Sequence, residues 1–238
     1  MRRTIGSCAI VGLAIVIGIG PAAAQDHAQG LNALTAAEKA AGWRLLFDGR
    51  TTNGWRGYMQ EGMPQGWQAV DGALTRVGRA GDIITTESYR SFELSLEWKV
   101  GPGGNSGVFY RAIEGPEAIY MVAPEMQVLD DAGHRDGQSP LTSAGSNFGL
   151  HPAQRGVVRP AGQWNEARII VDGDHVEHWL NGVKLVDYEL GSPDWAELVA
   201  DSKFVEWPEY GTATEGHIGL QDHGDWAAFR NIKIRPLG

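Results

Sequence analysis

Cysteine is almost absent: one residue in 238, Cys8, and it lies inside the first apolar stretch. That stretch, Ile5 to Ile19, follows Arg2 and Arg3 and ends at Pro21 and the small residues Ala22, Ala23 and Ala24. It is shorter than the roughly 20 apolar residues a membrane-spanning helix needs. A charged start, an apolar centre and a small-residue end are the pattern of a cleavable export signal. Cleavage after Ala24 leaves 214 of the 238 residues and removes Cys8, so disulfides and thiolate metal sites are excluded from the mature chain. A lipoprotein is excluded too, because Cys8 is not at the cleavage point. The expected location is periplasmic or secreted, where disulfides are permitted without being required.

Positive charge is also scarce. Losing Arg2 and Arg3 from 20 basic residues, against 29 acidic ones, moves the formal net charge from −9 to −11. Such a surface makes nucleic acid and, after signal cleavage, anionic membrane poor partners. No internal repeat, heptad or dinucleotide fingerprint appears, and nothing in the sequence sets an oligomeric state. What is abundant is glycine, 33 residues, and tryptophan, nine. Glycine-rich turns between short strands suit an all-β protein, and tryptophan beyond the needs of a core suits stacking on sugar rings, Trp67 being one candidate.

The chain divides into a signal peptide (1–24), a linker with a short helix capped at Thr35 (25–41) and one domain (42–238). From Trp43 onward, short strands alternate with Asp-Gly and Asn-Gly turns. Trp67 to Val70, Asp71-Gly72 and Ala73 to Thr75 read as strand, tight turn, strand. Ser91 to Val100 alternates Phe92, Leu94, Leu96, Trp98 and Val100 with polar residues, which predicts one buried and one wet face. Ala167 to Glu189 holds Asp172-Gly173 and Asn181-Gly182 and predicts a three-stranded meander. Asp194 to Val205 predicts one short helix, and Gly216 to Leu220 with Ala227 to Ile234 the last strands. About a dozen strands with almost no helix predicts two packed antiparallel sheets, a jelly-roll β-sandwich.

Polar chemistry concentrates in four segments. In Pro124 to Asp131, alternation puts Glu125 and Gln127 on one face, about 7 Å apart, with Met126 and Val128 in the core. The spacing is similar to the acidic strand of laminarinase-type glucanases, but Gln127 stands where those enzymes need an assisting carboxylate. Asn105 to Arg111 is a strand that ends in a permanent cation. Asp130-Asp131-Ala132-Gly133-His134-Arg135-Asp136 is open to three readings: a general-base site, a metal site or an acidic turn. Gln221-Asp222-His223 follows an apolar strand, at a strand end where loops build sites. His175, His178 and His217 read as structural or surface residues.

The strings Asn105 to Arg111, Pro124 to Asp130, Gly162 to Val171, His178 to Val183, Gly216 to Gly224 and Phe229 to Ile234, with Trp43 to Trp55 ahead of them, closely resemble the 3-keto-disaccharide hydrolase family. The resemblance runs from about Gly42 to Leu237 and implies a concanavalin A-like lectin/glucanase sandwich. It also implies a substrate class, glycosides already oxidised at C3 of the sugar. A C3 ketone acidifies the C2 hydrogen, so a base can remove it, the C1 substituent leaves by β-elimination and water adds to the product. On that reading Glu125, His134 and His223 are the base and acid candidates. Arg111 and Gln127 bind the oxyanion or hydroxyls, and Gln221, Asn105, Asp130 and Trp67 contact substrate. No cofactor is certain; a divalent metal is possible, with Glu125, Asp130, Asp131 or His134 as ligands. A binding module without catalysis and a conventional glucanase are the alternatives.

Overall fold

The computed structural model describes Met1 and residues 30–238; the rest of the stretch read as a signal peptide and the start of the linker lie outside the described residues. The lead-in helix α1 (Ala36–Ala40) is held by a reciprocal cap. Thr35 Oγ1 accepts the Glu38 amide at 2.9 Å, and the Glu38 carboxylate accepts the Thr35 amide at 2.8 Å.

The strands that follow are β1 (Arg44–Leu45), β2 (Trp55–Gly57), β3 (Trp67–Val70), β4 (Ala73–Arg76), β5 (Ile83–Thr85), β6 (Phe92–Val100), β7 (Asn105–Ala112), β8 (Glu125–Leu129), β9 (Asn165–Asp172), β10 (His175–Leu180) and β11 (Val183–Glu189). Helix α2 (Pro193–Ala200) and strands β12 (His217–Leu220) and β13 (Ala227–Pro236) complete the chain. They form two antiparallel sheets. The larger has eight strands in the order β11-β10-β9-β6-β13-β4-β3, with β1 also paired to β13, and the smaller has five, β2-β5-β12-β7-β8. This is the jelly-roll sandwich that the strand pattern predicts.

Local chemistry accounts for the register. Asn181 and Gly182 both take positive φ (49° and 81°), as do Asp71 and Gly72 (49° and 76°). Two successive left-handed residues make the hairpin turn whose twist matches that of paired strands. The apolar side of β6 meets Val108, Tyr110, Met126 and Val128 in one core between the sheets. Its polar side is not uniformly wet. Glu93 is buried because Arg168 and Arg235 both pair with its carboxylate.

Behind β8 the core turns polar and aromatic. The buried His178 ring lies 2.8 Å from the Tyr110 hydroxyl and 3.1 Å from the Gly145 carbonyl, and burial pushes its pKa down to about 3. A neutral ring then donates Nδ1–H to Gly145 and accepts from Tyr110 at Nε2. From Tyr188 a stack of rings runs outward: Trp195 at 5.4 Å between centroids, Tyr210 at a further 5.8 Å and Phe204 at 3.9 Å beyond that. This stack anchors the segment after β11. The single helix expected over 194–205 is instead α2, capped by Ser192, followed by a separate 3-10 turn at Lys203–Glu206 capped by Ser202.

Candidate active site

The site forms on the face of the five-stranded sheet that points away from the core. Register places Phe109 opposite Glu125, Gly107 opposite Gln127 and Phe109 opposite Gly219, so these residues share that face. Beyond β12, the Gln221 amide donates to the Gly107 carbonyl at 3.0 Å. A cleft of about 310 Å³ opens over this row. Asn105, Glu125, Gln127, Gln221, Asp222 and His223 line it, with Asp82, Tyr120, Asp136, Phe148 and Lys203 completing the wall.

Gly107 is what lets Glu125 lie across the strand. A Cβ at position 107 would sit 2.0 Å from Glu125 Oε1 and 2.6 Å from its Cδ. The Glu125 carboxyl makes no hydrogen bond or ion pair among the described residues and is only 7% exposed. Burial pushes its pKa up to about 8; the Lys203 charge pulls down against this, and Asp82 and Asp136 push further up. Asp82, just ahead of β5, accepts the Asp222 amide at 2.8 Å, and burial raises its pKa to about 6. Asp222 is held differently. Burial opposes its charge, but the amides of Ala80 and Gly81 and the Arg76 guanidinium, 2.7 Å away, together keep its pKa low.

Three amide oxygens in or at the wall are buried without a partner: Asn105 Oδ1, Gln127 Oε1 and Gln221 Oε1. Orphaned buried acceptors are costly and therefore rare. The residues that carry them, Asn105, Gln127 and Gln221, line the cleft. The orientation of Gln127 is set by its own Nε2, which donates to the Thr142 carbonyl at 3.2 Å.

The structure thus brings together Glu125, Gln127, Gln221, Asn105 and His223. Of the remaining candidates, His134 stands just behind. Its ring centroid is 6.0 Å from that of His223, and its Nδ1 accepts the Asp136 amide at 3.1 Å. Arg111 is a correction. It is 3% exposed and does not line the cleft; its guanidinium donates to the carbonyls of Arg90 and Gly173 and sits 3.4 Å from Asp174. Its φ is +53°, at a bulge where two residues of β7 oppose one of β12, and a bulge re-aims the side chain. Trp67 is a second correction: at 2% exposed it is core, packed 6.1 Å from Phe229. Its Nε1 donates to the Gly81 carbonyl at 3.0 Å and supports the loop before Asp82. Asp130 is a third. It accepts the Gly103 amide at 2.8 Å and closes a turn rather than facing substrate.

The four residues considered as metal ligands do not converge. Asp131 accepts the Ala144 amide at 2.8 Å. Among the described residues, the one grouping of three ligand-type side chains with atoms within 4.8 Å is His175, Glu177 and Asp187 on the outer hairpin. There Lys184 pairs with both carboxylates. Sequence reasoning missed Asp82, Tyr120, Phe148 and Lys203. Only Asp82 carried a signal, an acidic residue opening the apolar run Ile83-Ile84 directly after Gly81.

A two-sheet sandwich that opens a cleft of carboxyl and amide groups on one outer face has the layout of a protein that binds a polar small molecule. Residues 42–235 match the family described as the 3-keto-alpha-glucoside-1,2-lyase-like domain, and the chain belongs to it. It is 36% identical over 230 residues to a 3-keto-disaccharide hydrolase of Bacteroides thetaiotaomicron, covering 83% of this chain and 79% of that one. Two crystal structures of provisionally named glycosyl hydrolases from Parabacteroides distasonis share its fold. One superposes with a TM-score of 0.81 at 36% identity, covering 88% of this chain and all of the other. The second gives 0.60 at 33% identity, covering 78% of this chain and all of its own.

Proposed function

We propose that the chain, exported from the cytoplasm, cleaves the glycosidic bond of 3-keto-glycosides by proton transfer at C2 rather than through an oxocarbenium ion. The observation that carries this is Glu125, a buried carboxyl with no hydrogen bond or ion pair among the described residues, raised to about 8 by burial. A carboxylate so raised is a stronger base than an exposed one, and near neutral pH it can both take and return a proton. Glu125 takes the C2 hydrogen as a proton. The C1–O bond then breaks as the C1–C2 double bond forms, and the departing oxygen receives that proton. Water addition at C1 reverses the sequence, with a water proton passing through Glu125 to C2. The amide groups of Asn105, Gln127 and Gln221 bind sugar hydroxyls, Tyr120 and Phe148 supply apolar walls, and His223 stands at the exposed side of the cleft.

Support comes from the family and from Gln127, which stands where laminarinase-type glucanases carry an assisting carboxylate. The test is to incubate the purified protein with a glucoside and with its 3-keto derivative, with and without chelator, and to follow aglycone release. Release from the keto derivative alone is the expected result. Release from the plain glucoside would overturn the elimination route. Loss with chelator would assign part of the enolate stabilisation to a divalent metal.

A further inference from the structure

With Arg111 turned away from the cleft, the charge that C2 deprotonation would place on the C3 oxygen has no obvious holder, and the walls of the cleft supply one. Four carboxyl groups line it, Asp82, Glu125, Asp136 and Asp222, but only one lysine or arginine, Lys203. Among the described residues Lys203 has no carboxylate within 4 Å. Its ammonium is instead set among three rings, 4.6 Å from the centroid of Phe148, 5.2 Å from Phe204 and 5.7 Å from Tyr120. Aromatic faces attract a cation without neutralising it, so it is held in place while its charge stays available.

The segment that presents Lys203 is fixed from below. Ser202 Oγ accepts the Phe204 amide at 3.1 Å, and Phe204 is buried against Tyr210 at the end of the aromatic stack. Trp207 packs edge-on behind Tyr120 at 5.4 Å. Lys203 therefore stands on a rigid base over a cleft whose other prominent group is Glu125.

Resting on the function proposed above, we infer that Lys203 is a catalytic residue that binds the C3 oxygen of the substrate and holds its negative charge when Glu125 removes the C2 proton. The C2–H pair becomes the C2–C3 double bond, and the carbonyl pair moves onto O3 opposite the ammonium. When that pair returns to the carbonyl, the C1–C2 double bond forms and the C1–O bond breaks. No oxidant or additional reactant is needed. Donors aimed at a developing oxyanion act mainly on the transition state, and losing one costs about 10²-fold in kcat, the lower end of the range because Lys203 is exposed.

The test uses Lys203→Met and Lys203→Arg of the full chain on a 3-keto-glucoside. Exchange of the C2 hydrogen in D2O is followed by NMR alongside aglycone release. Lys203→Met is expected to lose about 100-fold in kcat with little change in KM, to lose C2 exchange in step, and to move the acidic limb of the pH profile upward as the charge beside Glu125 goes. Lys203→Arg is expected to recover most of both rates. A Lys203→Met variant within threefold of wild type in kcat, or one altered only in KM, would overturn the inference while leaving the proposed function standing. Wild type that neither exchanges C2 nor releases aglycone would overturn both. Lys203 is exposed, so neither substitution disturbs the core.

Discussion

The outer faces of the two sheets are built from similar residues and finished in opposite ways. On the eight-stranded sheet nearly every charge is matched. Glu93 is shared by Arg168 and Arg235, Glu97 pairs with Arg230 at 2.7 Å, and Lys233 pairs with Glu38. Tryptophans on this face carry cations, with Arg230 at 4.0 Å and Lys99 at 4.6 Å from the Trp164 ring. On the five-stranded side, among the described residues, the Glu125 carboxyl has no partner and the amide oxygens of Asn105, Gln127 and Gln221 accept nothing. Matched charges on a sheet face contribute modestly to stability. Unmatched ones in a cleft cost stability and are retained where a ligand completes them. The function proposed above rests on the five-stranded side of that difference.

Substitutions of the same kind on the two faces should therefore separate activity from stability. The largest effect is expected from Glu125→Gln, which removes the proton carrier and should lower kcat by about 10³-fold in a steady-state assay on a 3-keto-glucoside. Its counterpart Glu93→Gln should leave kcat unchanged. It should lower stability by about 1–2 kcal/mol by denaturant titration, less than for a fully buried pair because both arginines are partly exposed. Next comes Gly107→Ala, whose Cβ displaces the Glu125 carboxyl; a shift of about 1 Å in a reacting group costs about 100-fold in rate. A smaller effect is expected from Gln127→Leu or Gln221→Leu. Each removes one hydroxyl acceptor worth about 1–1.5 kcal/mol, which should raise KM about tenfold with kcat little changed.

The pH dependence discriminates as well. Because the base form of Glu125 starts the reaction, kcat/KM should rise with pH through about 8. Its folded-state pKa is raised, so the native protein binds more protons than the unfolded chain. Its contribution is therefore fully present below the ordinary carboxylate range and is lost as pH rises through about 8. Thermal melts should show that slope in wild type and a flatter profile in Glu125→Gln. The smallest effect is expected from Lys99→Ala on the matched face, within ±0.5 kcal/mol in stability and without change in kcat.

Most of the fold is legible in the residues. Alternation in Phe92 to Val100 and the pairs Asp71-Gly72 and Asn181-Gly182 act over a few positions, and the strands and hairpins follow from them. Part of the site's centre was legible for the same reason, since alternation alone puts Glu125 and Gln127 on one face; Asn105 joins them only through the β7–β8 register. Its rim was not. Asp82, Tyr120, Phe148 and Lys203 come from four loops that only the tertiary fold brings together, and Lys203 sits in a turn set by ring packing from Tyr188 to Phe204. Arg111 shows how a single local event defeats a periodic argument. It has the parity of Gly107 and Phe109, and the bulge beside it turns it to the Gly173 turn instead. Trp67 is the converse, a residue type suited to sugar that the core needed more.

The central claim is that an unpaired, buried Glu125 moves the C2 proton. The direct measurement is the deuterium isotope effect on kcat/KM with a 3-keto-glucoside labelled at C2, run with wild type at pH 8 and at pH 6. The account predicts a primary isotope effect, with C2 exchange into solvent that disappears in Glu125→Gln. Cleavage at full rate with no effect of C2 deuterium and no exchange would place bond breaking at C1 without C2 deprotonation and contradict it.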